Sequence, residues 1–260
     1  MIHIRIVNRE QIPALVAEDL RRQLERKPDS VLGLPTGSTP LMVYRELVAQ
    51  HVRGKIDFSR ATTFNLDEYV GLDEKHVQSY KTYMYENFFR HVNIDLNNAH
   101  IPNGTAENPE EECRRYEQLM EQAGGIDWLL LGIGRNGHIG FNEPGESLSA
   151  ETHVQKLQED TRSANARFFT SPQDVPTHAI TMGMGSILKA KKIVLIAFGK
   201  EKADILARAV NGPVTTWVPA SFLQLHRDVT FVLDHEAASG LEPSTLTQSR
   251  SLRASIVTIP

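Results

Sequence analysis

The sequence predicts an α/β protein: an open, mostly parallel sheet with helices on both faces. Short apolar runs alternate with amphipathic stretches through most of the 260 residues, the pattern of strand–helix–strand units. Runs such as Trp128 to Leu131 and Ile193 to Ala197 are apolar throughout, as parallel strands buried on both faces are. Glycines, hydroxyls and ionisable residues gather where these runs end, and in open α/β sheets ligands bind beyond the carboxyl ends of strands.

Ile2, Ile4 and Ile6 alternate with polar residues, giving a strand with one buried face. Ile12, Leu15, Val16, Leu20 and Leu24 follow at helical spacing. Val31 to Leu34 reads as a strand, Leu41, Tyr44, Leu47 and Val48 mark a helix, and Thr62 to Leu66 is strand-like again. The segment Asn108 to Gly125 carries the clearest helix punctuation. Asn108 suits the N-cap, Pro109 the first turn, and Glu110, Glu111 and Glu112 complement the helix dipole. Cys113, Tyr116, Met120 and Ala123 form its apolar stripe, and Gly124–Gly125 stops it. Cys113 therefore reads as a packed thiol rather than a nucleophile, which would need an electropositive niche. After the strand Ile193 to Ala197 come a helix Lys200 to Val210, stopped by Asn211–Gly212, and a strand around Val229 to Leu233. No internal repeat or flexible linker interrupts the chain, so residues 1–240 are expected to form a single catalytic domain. Residues 145–176 are polar and irregular, a lid or an exposed helical insertion; residues 241–260 read as a C-terminal extension, poorly ordered or on the surface.

Composition excludes several classes. At 40% apolar and 23% charged the chain can bury a substantial core. Its 28 Lys and Arg against 32 Asp and Glu leave −4, which argues against nucleic acid as a partner. The longest apolar run, Ile193 to Phe198, is too short to span a bilayer, so no membrane is expected. Met1 to Glu10 contains no hydrophobic export signal, which predicts a cytoplasmic protein. One cysteine forms no internal disulfide and provides no zinc cluster.

Four junctions carry chemistry. Gly33-Leu34-Pro35-Thr36-Gly37-Ser38-Thr39-Pro40 joins a strand to a helix with glycines, hydroxyls and free N–H groups, the makings of a phosphate site; a tight turn with an N-cap is the plainer alternative. The lysine that a nucleotide P-loop requires is missing. Phe64-Asn65-Leu66-Asp67-Glu68-Tyr69 runs a strand into two adjacent acids, one of which can serve as a general base, although a solvated loop acid has the same sequence. Gly132 to Pro144 contains G-x-G-x-x-G, yet Gly140 and Pro144 follow too soon for the long helix of a dinucleotide site. What remains is a glycine-rich turn presenting His138 and Glu143, an acid–base pair suited to neutral pH or an ordinary loop histidine. Arg162, Arg167 and Lys202 are solvent-facing charges unless the ligand is a phosphate ester, which would want cations beside the hydroxyl loop.

Taken together, GLPTGSTP, FNLDEY, GIGRNGHIGFNEPG, TRSANARFF and GKEKA closely resemble the glucosamine-6-phosphate deaminases (glucosamine/galactosamine-6-phosphate isomerases) over about residues 1–240. NGHIGFNEP is the specific block; the related 6-phosphogluconolactonases share the glycine-rich turn but not F-N-E-P. The resemblance implies a modified Rossmann-like sheet of the deaminase/6-phosphogluconolactonase type. It implies conversion of α-D-glucosamine 6-phosphate and water into fructose 6-phosphate and ammonium in amino-sugar catabolism, with no cofactor and no metal. It further implies that Thr36, Gly37, Ser38, Thr39, Arg167 and Lys202 hold the substrate phosphate. His138 would drive ring opening, Glu143 would orient it, Asn136 would belong to the same relay, and Asp67 would move the proton between C2 and C1.

Two departures qualify the resemblance. Many family members carry Asp at Asn136, although Asn also occurs; an amide adds no negative charge beside His138. Hexameric members activated by N-acetylglucosamine 6-phosphate use a Ser and two basic residues where this chain has Glu146, His153 and Gln155. A homo-oligomer is left open, but this set argues against an allosteric hexamer. The rival functions are a lactonase, in which Asp67 would have no enolisation to perform, and a silent sugar-phosphate-binding regulator, which would not need Asp67, His138 and Glu143 together.

Overall fold

The computed structural model of the chain describes residues 2–242. Seven parallel strands form the central sheet: β1 (Ile2–Ile6), β2 (Val31–Leu34), β3 (Thr62–Asn65), β5 (Ala99–His100), β6 (Trp128–Leu131), β9 (Ile193–Ala197) and β10 (Val229–Leu233). Their spatial order is β1-β10-β9-β6-β2-β3-β5. A small antiparallel sheet, β4 (Asp67–Tyr69), β8 (His178–Thr181) and β7 (His153–Lys156), lies beyond it.

Side-chain alternation along each strand sorts the core into two layers. Leu129 and Leu131 of β6, and Ile193 and Leu195 of β9, face α4 (Pro109–Gln122), α6 (Met184–Lys189) and α7 (Ala203–Asn211). Trp128, Leu130, Val194 and Ile196 face α1 (Ile12–Arg26), α2 (Ser38–Val52) and α3 (Tyr80–Asn87). In α1, Ile12, Val16, Leu20 and Leu24 recur every four residues and are all buried; each such side chain contributes about 1.5–3 kcal/mol by leaving water. The α4 punctuation works as expected: Asn108 accepts from the N–H groups of Glu110 and Glu111, and the chain leaves the helix through Gly124 and Gly125 at φ 84° and 76°. Cys113 is buried on that helix, and burial pushes its thiol up to about 12, far from a reactive thiolate.

Two expected boundaries move. The strand expected over Thr62 to Leu66 stops at Asn65, because Leu66 changes sheets: its N–H still bonds Leu34 of β2, while its carbonyl accepts from Met182, just past β8. The helix expected from Lys200 begins as a 3-10 turn, Lys200–Lys202, closed by the Lys202 N–H on the Gly199 carbonyl, and becomes α-helical only at Ala203. The small sheet, α3 and α6 have no counterpart among the elements expected from sequence. Residues 145–176 contain β7, α5 (Glu159–Ala166) and a 3-10 turn at Pro172–Asp174. The expected C-terminal extension lies, from residue 243 onward, outside the described residues.

The chain passes from β2 outward to β3 and β5, then returns to β6 on the other side of β2 and proceeds to β9 and β10. The order therefore reverses between β2 and β6, and a crevice opens at their carboxyl ends. Loops from β9, β6, β2 and β3 meet there. With strands ~4.8 Å apart, the four junctions fall within roughly 15 Å of one another.

Candidate active site

The β2–α2 junction forms the floor. Gly37 is the N-cap of α2 and supplies no side-chain cap, so the first N–H groups of the helix stay open toward the crevice, with the hydroxyls of Thr36, Ser38 and Thr39 beside them. Two tyrosines hold this loop in place: Tyr83 donates to the Gly37 carbonyl at 2.6 Å and Tyr44 donates to that of Pro35. Neither tyrosine was legible as part of the site.

Asp67 occupies the point where the chain passes from the large sheet to the small one. It is buried, and burial, reinforced by the charge of Glu68, pushes its carboxyl up to about 8; no hydrogen bond or cation offsets this. Glu68 points elsewhere. Its carboxylate accepts the N–H groups of Tyr69, Tyr80 and Lys81 at 2.8–3.0 Å, which ties it to the first turn of α3. Of the two adjacent acids, one is a structural cap and the other is free for chemistry.

After β6 the chain forms a tight turn in which the Gly137 N–H bonds the Gly134 carbonyl, with Arg135 and Asn136 at the tip. No helix follows; the next element is β7, which agrees with setting the dinucleotide fingerprint aside. Gly134 lies flat under the His138 ring, where a Cβ would come within 2.3 Å of the ring carbon Cε1. Gly140, at φ 57°, packs against Thr181 and Asp67; a Cβ there would meet Thr181 Oγ1 at 3.0 Å and Asp67 Oδ2 at 3.7 Å. The histidine turn is thereby seated directly beside Asp67. Asn142 secures the far end, donating to the carbonyls of Ile139 and Met182, both at 2.9 Å.

His138 Nδ1 lies 3.5 Å from Glu143 Oε2, too long for a formed hydrogen bond, and this buried ring nitrogen has no other partner among the described residues. Asn136 Nδ2 donates to the same oxygen at 2.8 Å, and Asn136 Oδ1 accepts from the backbone N–H of His138 at 3.2 Å. Glu143 is buried, which by itself raises its pKa; His138, Thr161 and Asn136 together outweigh that and hold it below the ordinary carboxylate range. Gln158, unforeseen from sequence, approaches from the other side. Its N–H points at Glu143 Oε1 at 3.4 Å, and its side chain donates to the Pro144 carbonyl at 2.8 Å.

The expected cations separate into two groups. Arg167, at the end of α5, reaches Ser38 Oγ of the hydroxyl loop at 3.4 Å. Lys202 donates to the Ile133 carbonyl at 2.7 Å, and burial first, then the charges of Arg135 and Arg167, lower its pKa. Arg162 turns away, pairing with Glu159 at 3.1 Å and donating to the Val175 carbonyl at 3.2 Å. Among the described residues no cluster of three or more His, Cys, Asp or Glu side chains could hold a metal ion, and no helix is long and apolar enough to cross a membrane.

A doubly wound sheet with hydroxyls, cations and acid–base groups gathered at its strand ends suits a sugar-phosphate enzyme. The chain belongs to the family described as glucosamine-6-phosphate isomerases/6-phosphogluconolactonase, which matches residues 9–232. It is 57% identical over 233 residues to a glucosamine-6-phosphate deaminase of Thermoanaerobacter sp. (strain X514), covering 90% of this chain and 92% of that protein. It is 52% identical over 235 residues to the deaminase of Clostridium perfringens (strain 13 / Type A), covering 90% and 97%. The solved structure of a monomeric glucosamine-6-phosphate deaminase superposes with a TM-score of 0.89 at 46% identity, over 92% of this chain and 99% of that one. A 6-phosphogluconolactonase from Thermotoga maritima shares the fold, with a TM-score of 0.71 at 21% identity over 90% and 99% of the two chains.

Proposed function

We propose that the chain is a glucosamine-6-phosphate deaminase, converting D-glucosamine 6-phosphate and water into D-fructose 6-phosphate and ammonium. The observation that carries the reading within this family is Asp67: a buried, uncompensated carboxyl beside the turn that bears His138 and Glu143. A lactonase hydrolyses an ester and has no carbon acid to deprotonate, so it has no use for such a group.

In this reading the phosphate rests on the α2 N-terminus and the hydroxyls of Thr36, Ser38 and Thr39, with Arg167 and Lys202 beside it. His138 takes the proton of the anomeric hydroxyl and returns it to the ring oxygen, opening the pyranose, while Glu143 fixes the ring and balances the charge that develops on it. Asp67 then removes the C2 proton of the open aldose. The electron pair left at C2 forms the C1–C2 double bond, and the C1 oxygen takes a proton from the substrate's own ammonium group, which leaves a neutral enolamine with a C1 hydroxyl. Return of the proton from the Asp67 carboxyl to C1 gives the C2 iminium ion and regenerates the carboxylate; water adds at C2, passes a proton to the nitrogen, and ammonium leaves with the ketose formed. An acid at about 8 is mostly protonated at neutral pH. The cationic amine of the substrate, arriving beside it, lowers that value and produces the base where it is needed. Each proton transfer is worth roughly 10²–10⁴ in rate, and the phosphate anchor keeps the open chain in register.

We read residues 145–176 as a lid. In support, α5 buries only Thr161 and ends at Arg167, so it joins the Glu143 side of the site to the phosphate loop with light anchoring. The relative with 46% identity is described as a monomer, in keeping with an enzyme here that does not depend on an allosteric hexamer.

A coupled assay for ammonium and fructose 6-phosphate tests the function. Turnover by the parent and loss of at least ~10²-fold in the folded Asp67→Asn variant are expected. No turnover by the parent, or a variant as active as the parent, would count against it.

A further inference from the structure

We propose that Arg135 is a third cation of the phosphate site, gripping the substrate phosphate together with Arg167 and Lys202. The inference rests on the phosphate-ester reading above and extends it to a residue outside the expected ligand set.

Arg135 sits at the tip of the Gly134–Gly137 turn, at the carboxyl end of β6 next to β2 and its hydroxyl loop. Its neighbours on both sides are committed to the site: Gly134 underlies the His138 ring and Asn136 bonds Glu143. The turn is fastened to Lys202 two residues earlier, through the Ile133 carbonyl at 2.7 Å. Arg167 reaches Ser38 Oγ of the hydroxyl loop at 3.4 Å and Lys202 is bonded into the turn that carries Arg135, so three cations from three separate loops border one crevice. Arg135 and Arg167 both disfavour the charge of Lys202. Among the described residues none of the three forms an ion pair; Glu201, the chain neighbour of Lys202, supports its charge but does not outweigh burial and the two arginines.

Like charges brought together oppose folding; Glu201 offsets part of this at Lys202, and an anion relieves the rest. The substrate is charged at two ends, phosphate at C6 and ammonium at C2. A guanidinium near the amine would repel it, whereas Asp67 and Glu143 already provide negative charge on that side. The chemistry therefore directs Arg135 to the phosphate, where a planar fork can bind two oxygens at once. The side chain is exposed, as a residue closing over a bound ligand from the rim would be.

The test compares the parent with Arg135→Ala and Arg135→Lys. Steady-state kcat and KM for glucosamine 6-phosphate would be measured, with inorganic phosphate as the competing probe. The alanine variant should raise KM and the phosphate inhibition constant together by roughly tenfold, the value of one charge-assisted contact, with a smaller effect on kcat. The lysine variant should recover part of both, and the thermal midpoint of the alanine variant should not fall, since the side chain supports nothing in the fold and its removal relieves repulsion with Lys202. If phosphate inhibits the parent but both constants stay within twofold in Arg135→Ala, the assignment is wrong. A fall in kcat alone would also overturn it, placing Arg135 behind Asn136 rather than on phosphate. A parent that neither turns over the substrate nor binds phosphate would instead overturn the deaminase reading, and the assignment with it.

Discussion

Asn136 and Glu143 share a 2.8 Å hydrogen bond, and the carboxylate oxygen that accepts it is the one facing His138 Nδ1 at 3.5 Å. The amide thus spends part of the negative charge that would otherwise stabilise a protonated ring. Replacing Asn136 by Asp reverses this, bringing a second carboxylate against Glu143 and adding charge beside the histidine. Ring opening needs His138 neutral at the outset. The acid limb of the kcat profile of Asn136→Asp, read in the substrate complex where the amine has lowered Asp67, should therefore move to higher pH, by about one unit. Superimposable acid limbs for the two proteins would refute this account of Asn136.

Asp67 makes the site costly to fold. Its carboxyl rises from an ordinary value of 3.8 to about 8 in the native state. Between those values the native protein holds one more proton than the unfolded chain, so its stability falls as pH rises, by up to about 1.4 kcal/mol per pH unit. Below pH 3.8 and above 8 the dependence from this group vanishes. Asp67→Asn, which cannot ionise, should gain stability over the parent progressively from pH 4 to pH 8. Urea denaturation at several pH values measures the difference, and a constant offset would mean that Asp67 is not the strained group proposed.

Glu68 gives the complementary case. Its three backbone N–H partners include two in the first turn of α3, whose dipole favours the charge. Glu68→Gln should cost about 1–3 kcal/mol of stability and at the same time lower the pKa of Asp67, because the like charge is removed. Both effects can be read in one urea and pH series. Loss of stability without any movement of the Asp67 titration would leave the two acids uncoupled.

Much of this was legible in the sequence because the long elements speak through periodicity and caps: β6 and β9 by unbroken apolar runs, α4 by Asn108, Pro109 and the glycines. The small sheet was not. Three-residue β4 is Asp-Glu-Tyr, a composition that argues against a strand, and tertiary pairing with β8 overrides it. The same is true within the site. Glycine spacing singled out the His138 turn, and the strand end singled out Asp67. Nothing local distinguishes Asp67 from Glu68, since the division between them depends on α3 arriving from twelve residues away. Gln158, Tyr44 and Tyr83 act through space on loops that are distant in sequence, and Arg135 looks like any solvated turn residue until Lys202 is placed beside it.

Glu146, His153 and Gln155 line one cavity of about 850 Å³ that reaches Glu143, so a ligand bound there would contact the acid–base relay directly. The cavity is poorly made for a phosphate ester. Glu146 and Glu159 contribute carboxylates, and Arg162, its strongest potential anchor, is already paired with Glu159 and bonded to Val175. His153 turns Nδ1 toward the Glu151 carbonyl and Nε2 toward Gln155. Lys156 remains, exposed, and a single screened cation does not offset the repulsion from nearby acids. N-acetylglucosamine 6-phosphate should therefore leave the deaminase rate at sub-saturating substrate unchanged, apart from competition at the active site at high concentration. A rise of several-fold at low effector concentration, with the substrate curve changing from sigmoidal to hyperbolic, would show that Glu146 and Gln155 do not close this cavity to phosphate.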